Sequence, residues 1–270
     1  MEKIFSANRM EAGAGSFTLF EAPGWRFGTA SVRLDDGLEA TTHRLYAEML
    51  AAVGGLHLAR IWNYVPAINA PGPGGLENYR LFCRGRARAF EELHGETYKA
   101  FLPAASAVGC AGEHLTVVFA ACAASPRHFE NPLQTPAYEY PPEYGPRAPS
   151  FARASVVEEP RCVSTFISGT AAIRGHQTIA PHQTMEQLRC TVDNLRVIAR
   201  SCGLEEEPFL AGTGRRHVKV YLRHAADYSL VADALRQQLL YPRDRVSFVE
   251  ADVCRADLNV EIEITALLPR

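Results

Sequence analysis

The chain has 270 residues, 47% of them apolar and 21% charged, a composition that excludes disorder, collagen-like repeats and low-complexity classes. Its 28 Lys+Arg against 30 Asp+Glu leave a formal net charge of −2, so it has no global electrostatic footprint for nucleic acid or an acidic membrane. Any anionic ligand must therefore be held by a few placed arginines.

The first half opens with no apolar run of signal-peptide length. A strand is expected over 28–34, and a helix over 41–53 closed by Gly54-Gly55. A strand follows over 59–65 (ARIWNYV), then a helix over 76–93 after the tight loop NAPGPGG at 69–75. Strands over 106–108 and 114–121 complete the half. The longest mostly apolar stretch, 115–125, is too short for a membrane span, which needs about 20 residues.

Residues 131–149 (NPLQTPAYEYPPEYGPRAP) hold six prolines and three tyrosines, which excludes a helix or a central strand. Tyrosines this dense pack, so the segment reads as an ordered connection. The expected organisation is a first unit at 1–130, this connection at 131–149, and a second unit at 150–270.

The second half predicts strands over 155–158 and 163–168, then a turn and short strand (TAAIR) bracketed by Gly169 and Gly175. Apolar residues at Met185, Leu188, Val192, Leu195 and Ile198 give helical spacing over 185–202, with Gly203 as the C-terminal cap. A strand at 217–222 (HVKVYL), a helix over 227–240 and strands over 246–253 and 258–266 end the chain. Both halves read helix, Gly, strand, helix, strand, strand. NYVPAIN (63–69) stands where VYLRHAA (220–226) stands, which implies an internal duplication with a cleft between two like α+β units.

The nine histidines are scattered without HxxxH or HExxH spacing, so no metal site is expected. GxGxxG, GxxxxGK[ST] and GxSxG are absent as well. Seven cysteines without a CxxC pair read as free thiols of a cytoplasmic protein. What remains is LNVEIEITA, where Glu261 and Glu263 share the face opposite Val260, Ile262 and Ile264. That pattern fits a solvent-facing carboxylate row. It equally fits a carboxyl in an apolar cleft, where desolvation raises its pKa and makes it a general acid. Cys254 would approach the same cleft if the last two strands form a hairpin; alone it reads as a buried thiol. Arg223 ends the strand HVKVYLR, and Arg147 and Arg153 flank the tyrosine-rich connection. Each is either an anion grip or a surface ion pair.

Several of these strings together resemble a known family. FISGTAAI, the helix MEQLRCTVDNLRVIARSCGLE, VKVYLRHAADY and ADLNVEIE resemble the RidA/YjgF-like fold. RIWNYVPAIN, NYRLFCRGRARAF, EYGPRAPSFARA, FISGTAAIRGHQT and DVCRADLNVEIE, in this order, resemble the chorismatases. The similarity runs from about residue 57 to the C-terminus; familiar members run longer at the front, so the first unit is expected to be shortened.

The resemblance implies an α+β fold of two RidA/YjgF-like units, with mixed sheets and helices packed on one face. It implies release of pyruvate from chorismate, a small dianionic substrate, without metal or redox cofactor. Glu261 matches the proton-donating glutamate. Cys254 and Gly169 match positions that separate members forming 3-hydroxybenzoate from hydrolytic members, in which alanines are expected, so the aromatising branch is favoured. Arg223, Tyr221, Arg153 and Tyr144 are candidate substrate contacts. The alternatives are a hydrolytic or 4-hydroxybenzoate-forming member, an enamine or imine deaminase of the RidA type, and a binding module for aromatic acids. The expected chain is a monomer or small homo-oligomer with no nucleic-acid or membrane partner.

Overall fold

The computed structural model describes residues 8–204 and 214–270. In the first half, β1 (Asn8–Ala14), β2 (Phe17–Ala22) and β3 (Trp25–Arg33) precede α1 (Leu38–Val53), β4 (His57–Pro66), α2 (Asn78–His94), β5 (Ala104–Cys110) and β6 (His114–Cys122). In the second, β7 (Arg127–Phe129), β8 (Ala154–Glu159) and β9 (Cys162–Thr170) lead to a small hairpin, β10 (Ile173–Arg174) and β11 (Gln177–Thr178). Then come α3 (Thr184–Ser201), β12 (Arg215–Leu222), α4 (Tyr228–Gln238), β13 (Arg245–Glu250) and β14 (Val260–Pro269).

Two six-stranded mixed sheets result, ordered β1-β2-β3-β6-β4-β5 and β13-β12-β14-β9-β8-β7. With β2, β3, β4, β5 and β6 set against β8, β9, β12, β13 and β14, the strand orders coincide. In each sheet one pair is parallel, β4 with β5 and β12 with β13. Parallel pairing needs a crossover, and α2 and α4 supply it. The duplication read from the sequence is thus a duplication of topology.

Each sheet buries one face under its helices. Leu45, Met49, Phe82 and Phe90 pack with Ile61, Leu115, Val117 and Phe119 in the first unit. Leu188, Val192, Leu195, Val231 and Leu235 pack with Val218, Val220, Val260, Ile262 and Ile264 in the second. Gly203 stops α3 at φ 72°, a conformation glycine reaches without a Cβ clash, and Leu204 N–H closes the end on Ala199 O at 3.1 Å. No helix among the described residues is long and apolar enough to cross a membrane.

Four strands escaped the sequence reading, among them β11, the two-residue second arm of the small hairpin. The β2 segment does alternate, with Phe17 and Leu19 buried, but it is short; β7 is a three-residue edge strand. The side chains of β1 lie outside the described residues, as do its preceding seven residues. The last two strands do not pair as a hairpin. Here β12 lies between β13 and β14, so 251–259 is a crossover running past the end of β12. Strand 13 stops at Glu250 and strand 14 starts at Val260, shorter and later than the apolar runs suggested. The Pro/Tyr connection is ordered by two 3₁₀ turns, Ala137–Glu139 and Pro142–Tyr144.

The helix-free faces meet. Strand β5 (AASAVGC) lies against β8 and β9, and small residues allow a close approach. The N–H groups of Ala104 and Ala105 donate to Ser155 Oγ (2.8 Å) and Ser168 Oγ (2.9 Å), and Gly169 N–H donates to Ser106 Oγ (2.9 Å). These bonds satisfy backbone groups that the contact would otherwise strand away from water. The contact covers the outer face of β14, where the two glutamates point.

Candidate active site

Glu261 and Glu263 are 3% and 4% exposed, so the solvent-facing carboxylate row is overturned. Alternation on β14 sends Val260, Ile262 and Ile264 into the helix-side core and both carboxyls into the seam between the units. Their surroundings differ. Glu263 Oε2 accepts from Arg60 Nη2 (2.7 Å) and Ser106 Oγ (2.6 Å), and its Oε1 accepts from Trp62 Nε1 at 2.8 Å. Lys219 Nζ stands 3.0 Å from the same Oε1. Burial alone would raise this carboxyl, but Arg60, Lys219 and Ser106 together hold it near a pKa of about 2.

Glu261 has no such clamp, and its Oε1 makes no hydrogen bond. Burial, reinforced by the charge of Glu263, pushes its pKa up to about 8 against the opposing pull of Arg60 and Arg153. One strand therefore carries an ionised carboxylate and a neutral carboxylic acid two residues apart. Environments that split two carboxyls in this way are a means of running acid chemistry at neutral pH.

Gly169, on β9, makes room for the acid. A Cβ at this position would overlap Glu261 Oε1 and stand 2.7 Å from its Cδ. Glu261 and Gly169 both line a cavity of about 460 Å³ between the units. Cys254, Arg153 and Tyr144 line it too, so five of the seven residues to which the resemblance assigned a role come together. Burial, with the charge of Glu261, pushes the Cys254 thiol up to about 12; at neutral pH it is a thiol and not a thiolate nucleophile.

Arg223 and Tyr221 are not among the lining residues. Arg223 is spent on the crossover loop. It donates to the carbonyls of Leu258 (2.8 Å), Val253 (3.3 Å) and Arg255 (2.9 Å), to Asn69 Oδ1 (3.1 Å), and pairs with Asp252. Its place at a strand end suggested an anion grip. In the fold that end faces bare loop carbonyls, and an arginine with five N–H donors serves them. Tyr221 sits opposite Glu261 in the β12–β14 register, with its hydroxyl buried and its pKa driven well up by that burial.

The cations that do face the cavity came mostly unannounced. Arg86 on α2 is 1% exposed, and its Nε and Nη2 have no hydrogen-bond partner. Its guanidinium lies 5.0 Å from the Phe82 ring centroid. The signal was in the sequence: Phe82, Arg86 and Phe90 stand four apart on one helical face, so the arginine interrupts an apolar stripe. Arg255, next to Cys254, stacks 4.2 Å from the Tyr144 centroid and 5.4 Å from that of Tyr140, with its Nη2 buried and unpartnered. Arg80 completes the set. Arg153 donates to Tyr140 Oη at 2.8 Å and lies 5.1 Å from the Phe151 centroid, which fixes its plane. Glu130 stands 4.0 Å from Arg153 Nε; burial pushes that carboxyl up to about 7, against the pull of Arg153.

The site is thus an undissociated carboxylic acid, without a hydrogen bond on one oxygen, at the wall of a cavity ringed by guanidinium groups. Chemically, such an arrangement has the groups needed to hold a small polyanion and to give it a proton.

Known proteins match this chain and its fold. A family profile described as "Chorismatase FkbO/Hyg5-like, N-terminal" matches residues 5–121. A chorismatase of Streptomyces rapamycinicus is 37% identical over 256 residues, covering 89% of this chain and 74% of that protein. The chain belongs to the chorismatase family. A 3-hydroxybenzoate synthase of Streptomyces hygroscopicus is 38% identical over 224 residues, 80% of this chain and 65% of that protein. A crystal structure of a chorismatase superposes with a TM-score of 0.85 at 32% identity, over 98% of this chain and 80% of that chain. The chain spans 65% and 74% of the lengths of these two curated relatives.

Proposed function

We propose that the chain cleaves the enolpyruvyl ether of chorismate to pyruvate and 3-hydroxybenzoate, with Glu261 as the proton donor. The observation that carries this reading is the buried acid itself: Glu261, held neutral up to a pKa of about 8, faces a guanidinium-lined cavity. Chorismate is a dianion with two carboxylates, and Arg80, Arg86, Arg153 and Arg255 supply the countercharge. A cavity of about 460 Å³ lies within the range of small-molecule sites, about 300–1,000 Å³.

The step asked of Glu261 is protonation of carbon. The π pair of the enol methylene forms the new C–H bond, and Glu261 is left as a carboxylate. Positive charge develops on the ether carbon and is shared with the ether oxygen. The new carboxylate, with Glu263 behind it, stabilises that charge in a site shielded from water. The ring–oxygen bond then breaks with its pair going to oxygen, which becomes the carbonyl of pyruvate. The neighbouring hydroxyl oxygen moves to the vacated ring carbon, and loss of one ring proton completes the aromatic product. One proton is taken up and one released, and the two products contain the atoms of chorismate. In the hydrolytic alternative, water adds to the ether carbon, the ring–oxygen bond survives and the product is a dihydroxycyclohexadiene acid.

Gly169 and Cys254 support the aromatising branch, because alanines are expected there in hydrolytic relatives. The geometry supplies a reason why the first position matters: a methyl group at 169 would collide with the Glu261 carboxyl and move the proton donor. The test is to incubate the purified protein with chorismate and resolve the products by chromatography and mass. Pyruvate with 3-hydroxybenzoate is expected. Gly169→Ala should lower the share of 3-hydroxybenzoate among products. A dihydroxycyclohexadiene acid or 4-hydroxybenzoate from the unaltered protein would overturn the branch, and unchanged chorismate would overturn the substrate.

A further inference from the structure

Beside the acid lies a second carboxylate that the chemistry above does not consume. Glu263 is held from both units: Arg60 and Trp62 reach it from β4, Ser106 from β5 and Lys219 from β12. Ser106 also ties this cluster to the acid's own seat, since its Oγ accepts the Gly169 N–H at 2.9 Å. Two residues apart on one face of a strand, the two carboxyls stand about 7 Å apart along the chain. The low-dielectric seam between them transmits charge that water would screen.

We propose that Glu263 is a positioning residue: a fixed negative charge, clamped by Arg60, Trp62, Ser106 and Lys219, that keeps Glu261 in its proton-giving form. The proposal rests on Glu261 being the donor. It assigns the clamp a task beyond joining the units. The cluster carries two cations and one anion; removing the anion leaves the cations facing Glu261 and favours its ionised form, whereas removing Lys219 leaves Glu263 and Arg60 balanced. The other titratable groups facing Glu261 stay fixed in both cases: Arg153 ahead of β8, Cys254 in the crossover and Tyr221 on β12. Tyr64, on β4, faces Lys219 at 3.4 Å.

Opposite signs make the test sharp. Glutamate carboxyl carbons would be followed by 13C NMR from pH 5 to 10 in full-length protein, with the Glu261 signal identified by its loss in Glu261→Gln. Glu263→Gln should move the Glu261 midpoint down by one pH unit or more, a tenfold change in its ionisation constant. Lys219→Met should move it up. A merely structural clamp predicts no opposed shift, and a midpoint unmoved or moved the wrong way in either protein overturns the proposal. Where Glu263→Gln fails to fold, Lys219→Met decides alone. This readout needs no turnover, so absence of chorismate cleavage would sink the proposed function while the titration still judges the role of Glu263. With turnover present, the alkaline limb of kcat should follow the same two shifts.

Discussion

The two units share a strand order but not a fate for their central strands. In the first, the β4–β6 register sets Trp62 against Val118 and Tyr64 against Thr116; in the second, the β12–β14 register sets Lys219 against Glu263 and Tyr221 against Glu261. Thr116 and Val118 remain half-buried on the outer face of β6, whereas both glutamates of β14 are sealed. The asymmetry comes from how the sheets stack. Strand β5 of the first unit lies across β9 and β8 of the second, so the first unit lends cover with Arg60, Arg80 and Arg86, and the second supplies the buried carboxyls with Arg153, Arg255 and Lys219. The topology is duplicated, but the buried carboxyl pair lies only where the two units overlap. A carboxylate becomes a neutral-pH acid here through where the seam falls, not through strand pattern.

That contrast explains what was readable in the sequence. The alternation in LNVEIEITA placed Glu261 and Glu263 on one face, and four helices followed from 3.6-residue spacing. Which face of β14 meets water depends on contact with residues about 160 positions earlier, and no local period encodes that. Arg223 misled for a related reason. A strand-end arginine suits an anion equally well as a set of loop carbonyls, and only the crossover of 251–259 decides between them. Arg60 and Lys219 lie within strands that read as core, so their pairing with Glu263 across the seam was invisible until the units were stacked.

Glu261→Gln keeps the shape of the acid and removes its proton, and should cut chorismate turnover by about 10²–10⁴-fold, the usual contribution of a general acid. Arg86→Met empties one guanidinium seat while keeping an apolar stem against Phe82. It should weaken apparent affinity by roughly 10–100-fold, as expected for a lost charged hydrogen bond of about 1.5–3 kcal/mol, read as KM in steady-state assays.

Stability offers a third handle, with a defined sign. Glu261 binds its proton more tightly folded than unfolded, so its contribution is fully present below its ordinary pKa of 4.5 and is lost as pH rises toward about 8. Glutamine cannot ionise. Glu261→Gln should therefore match the parent near pH 4 in urea unfolding and exceed it at pH 7 by on the order of 3 kcal/mol. Glu263, held near about 2, works in the other direction: its contribution is present above 4.5 and fades as pH falls toward 2.

The smallest effect is expected in the first unit. Thr116→Glu puts a carboxylate at the counterpart of Glu261, on a half-buried outer face. It should titrate within about one unit of an ordinary glutamate and change stability by less than about 1 kcal/mol. A strongly raised pKa there would mean that the strand position, and not the seam, makes the acid.

The most direct measurement follows the proton. Chorismate is incubated with the protein in D2O, pyruvate is trapped by reduction as it forms, and the deuterium content of its methyl group is read by mass. The expected products are 3-hydroxybenzoate and pyruvate carrying one deuterium at the methyl carbon, formed at a rate that collapses in Glu261→Gln. Methyl groups without deuterium, or pyruvate released equally fast by Glu261→Gln, would contradict the claim that Glu261 protonates the enol carbon.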